Sequence, residues 1–225
     1  MSRIFLALSV FALLLVMANL ILGLCIGDVA GESQRFLSLQ QEVTRLERAR
    51  GSSPDDIRAA REELTSAAAA FAPMRQKLGM HRLLGIAAAL VALLVNCITV
   101  TYFIGTARWC QEVVDTYGFD PRLAESSRQL KRRSFPWSLG SVLFLLAILA
   151  LGATADPIGL GGGETWAKTH MWVAMLGIVF LAWSFFVQLG NLAANTDVIQ
   201  QIIAQVNQRQ EAGGRDASTE HLASS

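Results

Sequence analysis

The segment "LLGIAAALVALLVNCITVTYFIG", residues 83–105, decides the fold class of this protein. It carries no charged side chain, and it is longer than the about 20 apolar residues that a helix needs to cross a bilayer. Because backbone groups in lipid must form hydrogen bonds within their own segment, this stretch is predicted to be a transmembrane helix. Three further windows have the same character: Ile4–Gly27, Trp137–Ala155 and Met171–Leu192.

The composition of the whole chain agrees with a membrane protein. Of its 225 residues, 52% are hydrophobic and only 16% are charged, whereas charged residues make up about 25% of soluble domains. The formal net charge of +1 gives no reason to expect a nucleic-acid partner. We therefore predict an all-α fold, a four-span transmembrane helical bundle that has the lipid bilayer as its first partner.

The first window, within residues 1–27, is predicted to remain as a membrane anchor. Signal peptides have apolar cores of about 7–15 residues, and this window is longer. The stretch "LGLC" at 22–25 hints at a lipoprotein cleavage site, but Leu24 stands where a small residue is expected before Cys25. Cleavage or lipidation at this stretch stays open as the alternative.

A basic cluster beside the third window indicates the orientation in the membrane. Positive side chains in short loops near span ends favour the cytoplasm, and the same cations can contact anionic lipid headgroups. The loop 106–136 and both termini are therefore predicted to be cytoplasmic, with the protein in the cell membrane. Arg75, Lys77 and Arg82, beside the second window, argue the other way. The cluster consists of Arg128, Lys131, Arg132 and Arg133.

Between the first two windows, residues 28–82 are predicted to form an extracytoplasmic antiparallel helical hairpin. Apolar residues recur at alternating intervals of three and four, which is a coiled-coil pattern. They align best with Leu46 opposite Ile57 and Phe36 opposite Ala67, and Pro73 is expected to break or kink the second helix. The exposed face, for example at Arg58 and Glu62, is the predicted partner-binding surface, although the hairpin can also be a plain spacer. The two apolar series are Phe36, Leu39, Val43, Leu46 and Ile57, Ala60, Leu64, Ala67, Phe71.

The chain thus divides into eight predicted segments. Between the second and third spans, one helix is expected to stop at Gly118 and the next to be capped by Asp120. An apolar stripe from Val198 to Val206 is expected to pack on these inner helices. The segments are transmembrane helix 1 (1–27), the hairpin (28–82), transmembrane helix 2 (83–105), a cytoplasmic basic helical loop (106–136), transmembrane helix 3 (137–155), a short Gly-rich outer loop (156–170), transmembrane helix 4 with a cytoplasmic helical extension (171–210) and a disordered tail (211–225).

Signs of catalysis or metal binding are missing from the sequence. Cys25, Cys97 and Cys110 lie at three different predicted depths, so they indicate neither a disulfide nor a thiolate metal site. The four apolar windows contain no Asp, Glu, Lys or Arg, and proton relays and ion-coupled transporters usually need such a residue. The stretch "GLGGGET" at 159–165 lacks the lysine of a phosphate-binding loop. The sequence therefore predicts a protein that is not an enzyme and has no metal site or catalytic residue.

Polar side chains inside the second and fourth windows recur at helical spacing. Such groups often form hydrogen bonds between transmembrane helices. We predict that they form a seam of the bundle, with a narrow polar pathway as the alternative. They are Asn96, Thr99, Gln188, Asn191 and Asn195.

Two histidines carry the only cofactor hypothesis. His81 begins the second span and His170 begins the fourth, so the predicted topology puts both at similar depth. Two facing histidines on bundle helices can hold a haem iron. That would need both rings to point inward and a gap wide enough for the macrocycle, whereas the neighbouring Arg82 and Lys168 indicate an interfacial position.

These patterns favour a non-catalytic role without a cofactor. The predicted function is a structural or interaction subunit of a membrane assembly, which contacts another membrane protein or a second copy through the hairpin and the inner basic loop. The alternative is a haem b-binding electron-transfer subunit that uses His81 and His170. A small transporter is the third possibility, although no residue indicates a solute.

Overall fold

The structure is a computed structural model that describes residues 2–27, 29–49, 51–155 and 164–223. Within these ranges the regular elements are five α-helices, and no strand is present. The helices are α1 (Ser2–Leu24), α2 (Val29–Arg48), α3 (Pro54–Tyr117), α4 (Pro121–Thr154) and α5 (Glu164–Ala223).

Four of these helices, α1, α3, α4 and α5, are long and apolar enough to cross a membrane. In the described part of the chain their most apolar stretches have mean hydropathies of 2.7, 2.5, 2.0 and 2.0. Many of their large apolar side chains are exposed, among them Leu14 (63%), Leu90 (61%) and Val179 (70%). Soluble monomers rarely expose apolar surface on this scale, whereas lipid solvates it. The predicted all-α fold with four apolar helices is confirmed.

The helix ends follow the signals in the sequence. Gly51 and Gly118 have φ angles of +120° and +64°, which lie in the region that a residue without a Cβ atom adopts at no steric cost. The Oδ1 atom of Asp120 accepts a hydrogen bond of 2.9 Å from the Arg122 N–H group and so caps α4. The predicted stop at Gly118 and cap at Asp120 are confirmed.

The helices are longer than the sequence predicts. Pro73 lies inside α3 and leaves it unbroken, so the predicted break at this residue is wrong. Its neighbours Phe71 and Met74 pack in one apolar cluster, which favours the helix on both sides against the cost of the proline. Residues 156–163 of the predicted outer loop lie outside the described residues, and residues 164–170 already belong to α5. The same helix continues to Ala223, through most of the segment 211–225 for which the sequence predicts disorder.

The chain forms two compact units, and α1, α3, α4 and α5 contribute to both. Unit 1 consists of Met1–Val10, Leu93–Val142 and Leu181–Ser225, and unit 2 of Phe11–Ala92 and Leu143–Phe180. In unit 1, the α5 residues Val198, Ile199 and Ile202 pack with residues of α3 and α4, as the apolar stripe predicts. The buried members of that cluster are Cys110, Val114, Ala124 and Ile202.

In unit 2, α2 contacts the first part of α3. The Phe36 and Phe71 rings stack with their centroids 6.0 Å apart, and the Glu47 carboxylate accepts a hydrogen bond of 2.6 Å from Arg61. The ring contact of Phe36 is thus one helical turn beyond Ala67, the partner that the predicted alignment gives it. Ala67 and Phe71 belong to the same apolar series, and the ring of Phe71 buries more apolar area against Phe36 than the methyl group of Ala67 would. The buried core of this cluster is Ile26, Val29 and Phe71.

Candidate functional site

Unit 2 brings the two predicted histidines together. His81 on α3 and His170 on α5 have ring centroids 6.3 Å apart and an angle of 81° between the ring planes. Both residues are half-buried. The sequence predicts that the two histidines lie at similar depth. In the structure, α3 and α5 are also rotated so that the two rings face each other.

His81 is oriented by α1. Its ring packs against Gly23, where an added Cβ would lie 2.9 Å from the His81 Cε1 atom. Its Nδ1 atom lies 3.1 Å from the main-chain oxygen of Asn19. A carbonyl oxygen can only accept a hydrogen bond, so Nδ1 carries the proton in this contact. In the neutral ring, Nε2 is then left with a lone pair, as in most metal-bound histidines.

His170 has the corresponding surroundings on α4. Its ring packs against Gly152, where an added Cβ would lie 3.1 Å from the His170 Cε1 atom. The main chain of Ile148 lies near the ring, but the buried Nδ1 atom of His170 makes no hydrogen bond with it. Ile148 precedes Gly152 by four residues, just as Asn19 precedes Gly23. Each histidine ring thus packs against a glycine of a neighbouring helix and lies near the main chain of the residue four positions before that glycine.

The spacing of the two rings fits one metal between them. Metal–imidazole nitrogen bonds are about 2 Å long and the ring centroid lies about 1 Å behind the nitrogen, so two opposed ligands have centroids about 6 Å apart. The described residues contain no group of three or more His, Cys, Asp or Glu side chains that could hold a bare metal ion. A haem iron, in contrast, already has four ring nitrogens and needs only two axial ligands from the protein. The donor set therefore fits haem better than a free ion.

The side chain of Asn19 lies between α1 and α3, near Gly85. The Oδ1 atom of Asn19 is buried and makes no hydrogen bond. Its Nδ2 atom would lie 3.0 Å from a Cβ added at Gly85, so α1 and α3 approach closely at this glycine. The sequence gave no sign of the roles of Gly23, Gly152 and Asn19.

The predicted partner-binding residues are exposed and contact each other. Arg58 and Glu62 form an ion pair of 3.3 Å along α3, with 80% and 71% of their side chains exposed. Pairs of this kind contribute little to stability. The structure therefore leaves this face accessible without indicating what it binds.

The predicted lipid-binding cations lie along α4. Arg128 pairs with Glu125 at 2.9 Å, so its charge is partly compensated. Lys131 is half-buried, whereas Arg132 and Arg133 are exposed. They stand at most six residues before Trp137, in the same uninterrupted helix.

Unit 1 contains a buried network of amides and hydroxyls. Gln188 Nε2 donates to Asn96 Oδ1 (3.2 Å) and to Ser184 Oγ (2.8 Å), and Ser141 Oγ donates to Ser184 Oγ (2.8 Å). Asn195 accepts a hydrogen bond of 2.8 Å from Ser127. These contacts agree with the predicted seam between helices. The sequence reasoning missed the serines of α4, although Ser127, Ser134 and Ser141 recur at seven-residue intervals, which puts them on one helix face.

No protein-family model, no curated protein and no solved structure matches this chain.

Proposed function

We propose that this protein binds a b-type haem between His81 and His170 and serves as a one-electron carrier in a membrane. The observation that carries the proposal is the approach of the two imidazole rings to 6.3 Å. The Asn19 carbonyl holds the Nδ1 proton of His81, which turns the unprotonated nitrogen into a donor for iron. Both rings are half-buried between apolar helices, where a polar nitrogen without a bonding partner is costly, and ligation of iron would supply that partner.

The chain contributes ligation, orientation and a low-polarity setting. Bound haem supplies reversible one-electron chemistry between the ferric and ferrous states. With both His81 and His170 bound to it, the iron would have no open position for a ligand, which would favour electron transfer over oxygen binding. Gly23 and Gly152 admit the rings between the helices, and the apolar surroundings limit access of water. Electron donor and acceptor are then one-electron carriers, either small molecules or redox proteins.

The proposed topology places the site near the outer surface. It has four spans, both termini and the loop 106–136 in the cytoplasm, and α2 with the first part of α3 as an antiparallel hairpin on the outside. The support is the basic cluster beside Trp137 and the Phe36–Phe71 contact between α2 and α3. In this arrangement His81 and His170 lie close to the outer headgroups.

Spectroscopy of the purified protein tests the proposal. Expression with added haem precursor should give a coloured protein with a Soret band, and dithionite should convert it to the sharp-banded spectrum of six-coordinate ferrous haem. His81→Ala and His170→Ala should each lose most of the haem, and added imidazole should restore part of it. The matched control is His221→Ala, which removes a histidine outside the pair and should retain the full haem content.

The result that overturns the proposal is a monodisperse wild-type protein without haem after expression in haem-replete cells. Equal haem content in all three histidine variants would overturn it as well. A colourless protein with copper or zinc at one equivalent would show that the pair binds a bare metal ion instead.

A second candidate function is that of an interaction subunit that uses the exposed hairpin. The observation that favours it is surface left open on α2 and α3, where Leu37 is 45% exposed and the Arg58–Glu62 pair is freely accessible. Its partner would be another membrane protein or a second copy of this chain. A photocrosslinker attached to the new cysteine of Arg58→Cys or Glu62→Cys should give discrete adducts in intact cells. The same crosslinker attached to Arg108→Cys, which the proposed topology puts on the other side of the membrane, should give none of these adducts.

A further inference from the structure

Basic residues stand near both histidines along the chain, whereas acids are rare there. The chain contains no Asp or Glu from residue 64 to residue 111, nor from residue 165 to residue 196. These ranges include the positions of His81 and His170 and about seven or more helical turns on the C-terminal side of each. On the two helices that carry the rings, the acid nearest to His170 is Glu164, at the start of α5 and six residues away. An anionic group bound beside the rings would therefore meet little repulsion from the residues that follow them.

Lys77 and Trp166 occupy equivalent places relative to the two rings. Lys77 precedes His81 by four residues on α3, and Trp166 precedes His170 by four residues on α5. Residues four apart lie on the same side of a helix, one turn from each other. Both side chains are exposed, Trp166 at 49%. Each histidine thus has a hydrogen-bond donor one turn toward the N-terminus of its helix.

The two side chains share one chemical property. The lysine ammonium group and the indole N–H group donate hydrogen bonds and cannot accept them. Their common ligand is therefore an acceptor, and a carboxylate is the acceptor that an ammonium group favours most. Haem carries two carboxylates, the propionates, on one edge of the macrocycle.

We infer that Lys77 and Trp166 bind the propionate groups of the haem and so set its orientation between α3 and α5. This inference rests on the proposed function. With the propionates on this edge, the carboxylates point toward the N-terminal ends of both helices, where the side chains are exposed. The opposite orientation would direct them along the acid-free but apolar stretches that follow His81 and His170, where a charge is costly.

Haem retention in matched variants tests the inference. Transfer of haem to apomyoglobin should be about fivefold faster from Lys77→Gln than from wild type, which corresponds to about 1 kcal/mol for an exposed ion pair. Lys77→Arg should restore retention, and Trp166→Phe should weaken it by a smaller factor. Arg75→Gln is the control, because Arg75 is also an exposed cation of α3 but lies on another side of the helix.

Haem dimethyl ester, which has no propionate charge, provides the second arm. After reconstitution with this ester, Lys77→Gln and wild type should release the macrocycle at the same rate. Two results would overturn this inference and leave the proposed function standing. In the first, wild type has its Soret band but Lys77→Gln and Arg75→Gln release haem at the same rate. In the second, Lys77→Gln still releases the macrocycle faster than wild type when the ester is bound. A wild type without any Soret band would overturn the proposed function, and this inference with it.

Discussion

His81 on α3 is joined to α1 through a main-chain atom, since its Nδ1 atom lies 3.1 Å from the carbonyl oxygen of Asn19. A main-chain acceptor is unaffected by substitution of its own side chain. The ring orientation therefore depends on the position of α1 and on the glycine that lets the ring approach, and much less on the identity of residue 19.

Asn19→Ala is accordingly expected to keep the haem site. The carbonyl remains, and the substitution removes a buried Oδ1 atom that makes no hydrogen bond. Unsatisfied buried polar atoms cost free energy, so the melting temperature in detergent should stay the same or rise. A loss of more than half of the haem in Asn19→Ala would show that the amide side chain, and not the carbonyl, holds the site.

Gly23→Ala should have the opposite effect. An added Cβ would lie 2.9 Å from the His81 Cε1 atom, a distance that only a shift of the ring can relieve. We expect most of the haem to be lost, and a smaller loss in Gly152→Ala, where the corresponding distance is 3.1 Å. The measurement is the ratio of haem to protein after purification.

The control for both glycines is Gly79→Ala. A Cβ at Gly79 meets no atom within 4 Å, and the added methyl group should stabilise the helix by up to about 1 kcal/mol. Haem content should be unchanged and thermal stability slightly higher. If Gly79→Ala lost haem as Gly23→Ala does, the loss would reflect a general perturbation of the helices and not the contact between Gly23 and the His81 ring.

The buried network of unit 1 should contribute to stability through Gln188. Replacing Gln188 by Leu removes donors to Asn96 and Ser184, and interhelical hydrogen bonds of this kind are worth about 0.6–2 kcal/mol. We expect a decrease of that size in the free energy of unfolding, measured by titration with SDS. Thr101→Val, at an exposed position of the same apolar segment as Asn96, should have no measurable effect.

The sequence predicts the parts of this fold that depend on local composition. The apolar segment 83–105, the stop at Gly118 and the cap at Asp120 follow from hydropathy and from the side chains at single positions. The convergence of His81 and His170 does not follow in this way. Similar depth can be read from the span boundaries, but the direction of each ring depends on helix rotation, and one residue turns a helix by about 100°.

The rotation of the helices in unit 2 is fixed by contacts that no sequence pattern indicates. Gly23 and Gly152 are two of many small residues in apolar helices, and only the structure shows which of these residues a histidine ring packs against.

The alignment of α2 with α3 is ambiguous for a related reason. A pattern of alternating three- and four-residue spacing repeats every turn, so it permits Phe36 to face either Ala67 or Phe71.

The native cysteines provide a test of both packing and topology. Burial raises the pKa of the Cys110 thiol, although a hydrogen bond with Ser127 acts in the other direction. Because the thiolate is the reactive form, a raised pKa lowers the reactive fraction at neutral pH. Cys110 should therefore resist maleimide until the protein is unfolded. Cys25 is exposed, and in a Cys97→Ser background it should react with an impermeant maleimide in intact cells; labelling only after cell lysis would reverse the proposed orientation.

The contact between α2 and α3 should depend on aromatic packing more than on charge. Phe71 is 6% exposed, so Phe71→Ala removes a buried ring, a change that typically costs about 3–5 kcal/mol. The Arg61–Glu47 pair is 64% and 41% exposed and should be worth at most about 1 kcal/mol. We expect Phe71→Ala to make the bonds after Arg45 and Arg48 strongly sensitive to trypsin, while Glu47→Gln and the surface control Leu37→Ala are cleaved as slowly as wild type. Equal protection of Phe71→Ala and wild type would mean that α2 is held without the Phe36–Phe71 stack, whereas rapid cleavage of Glu47→Gln would give the ion pair the larger role.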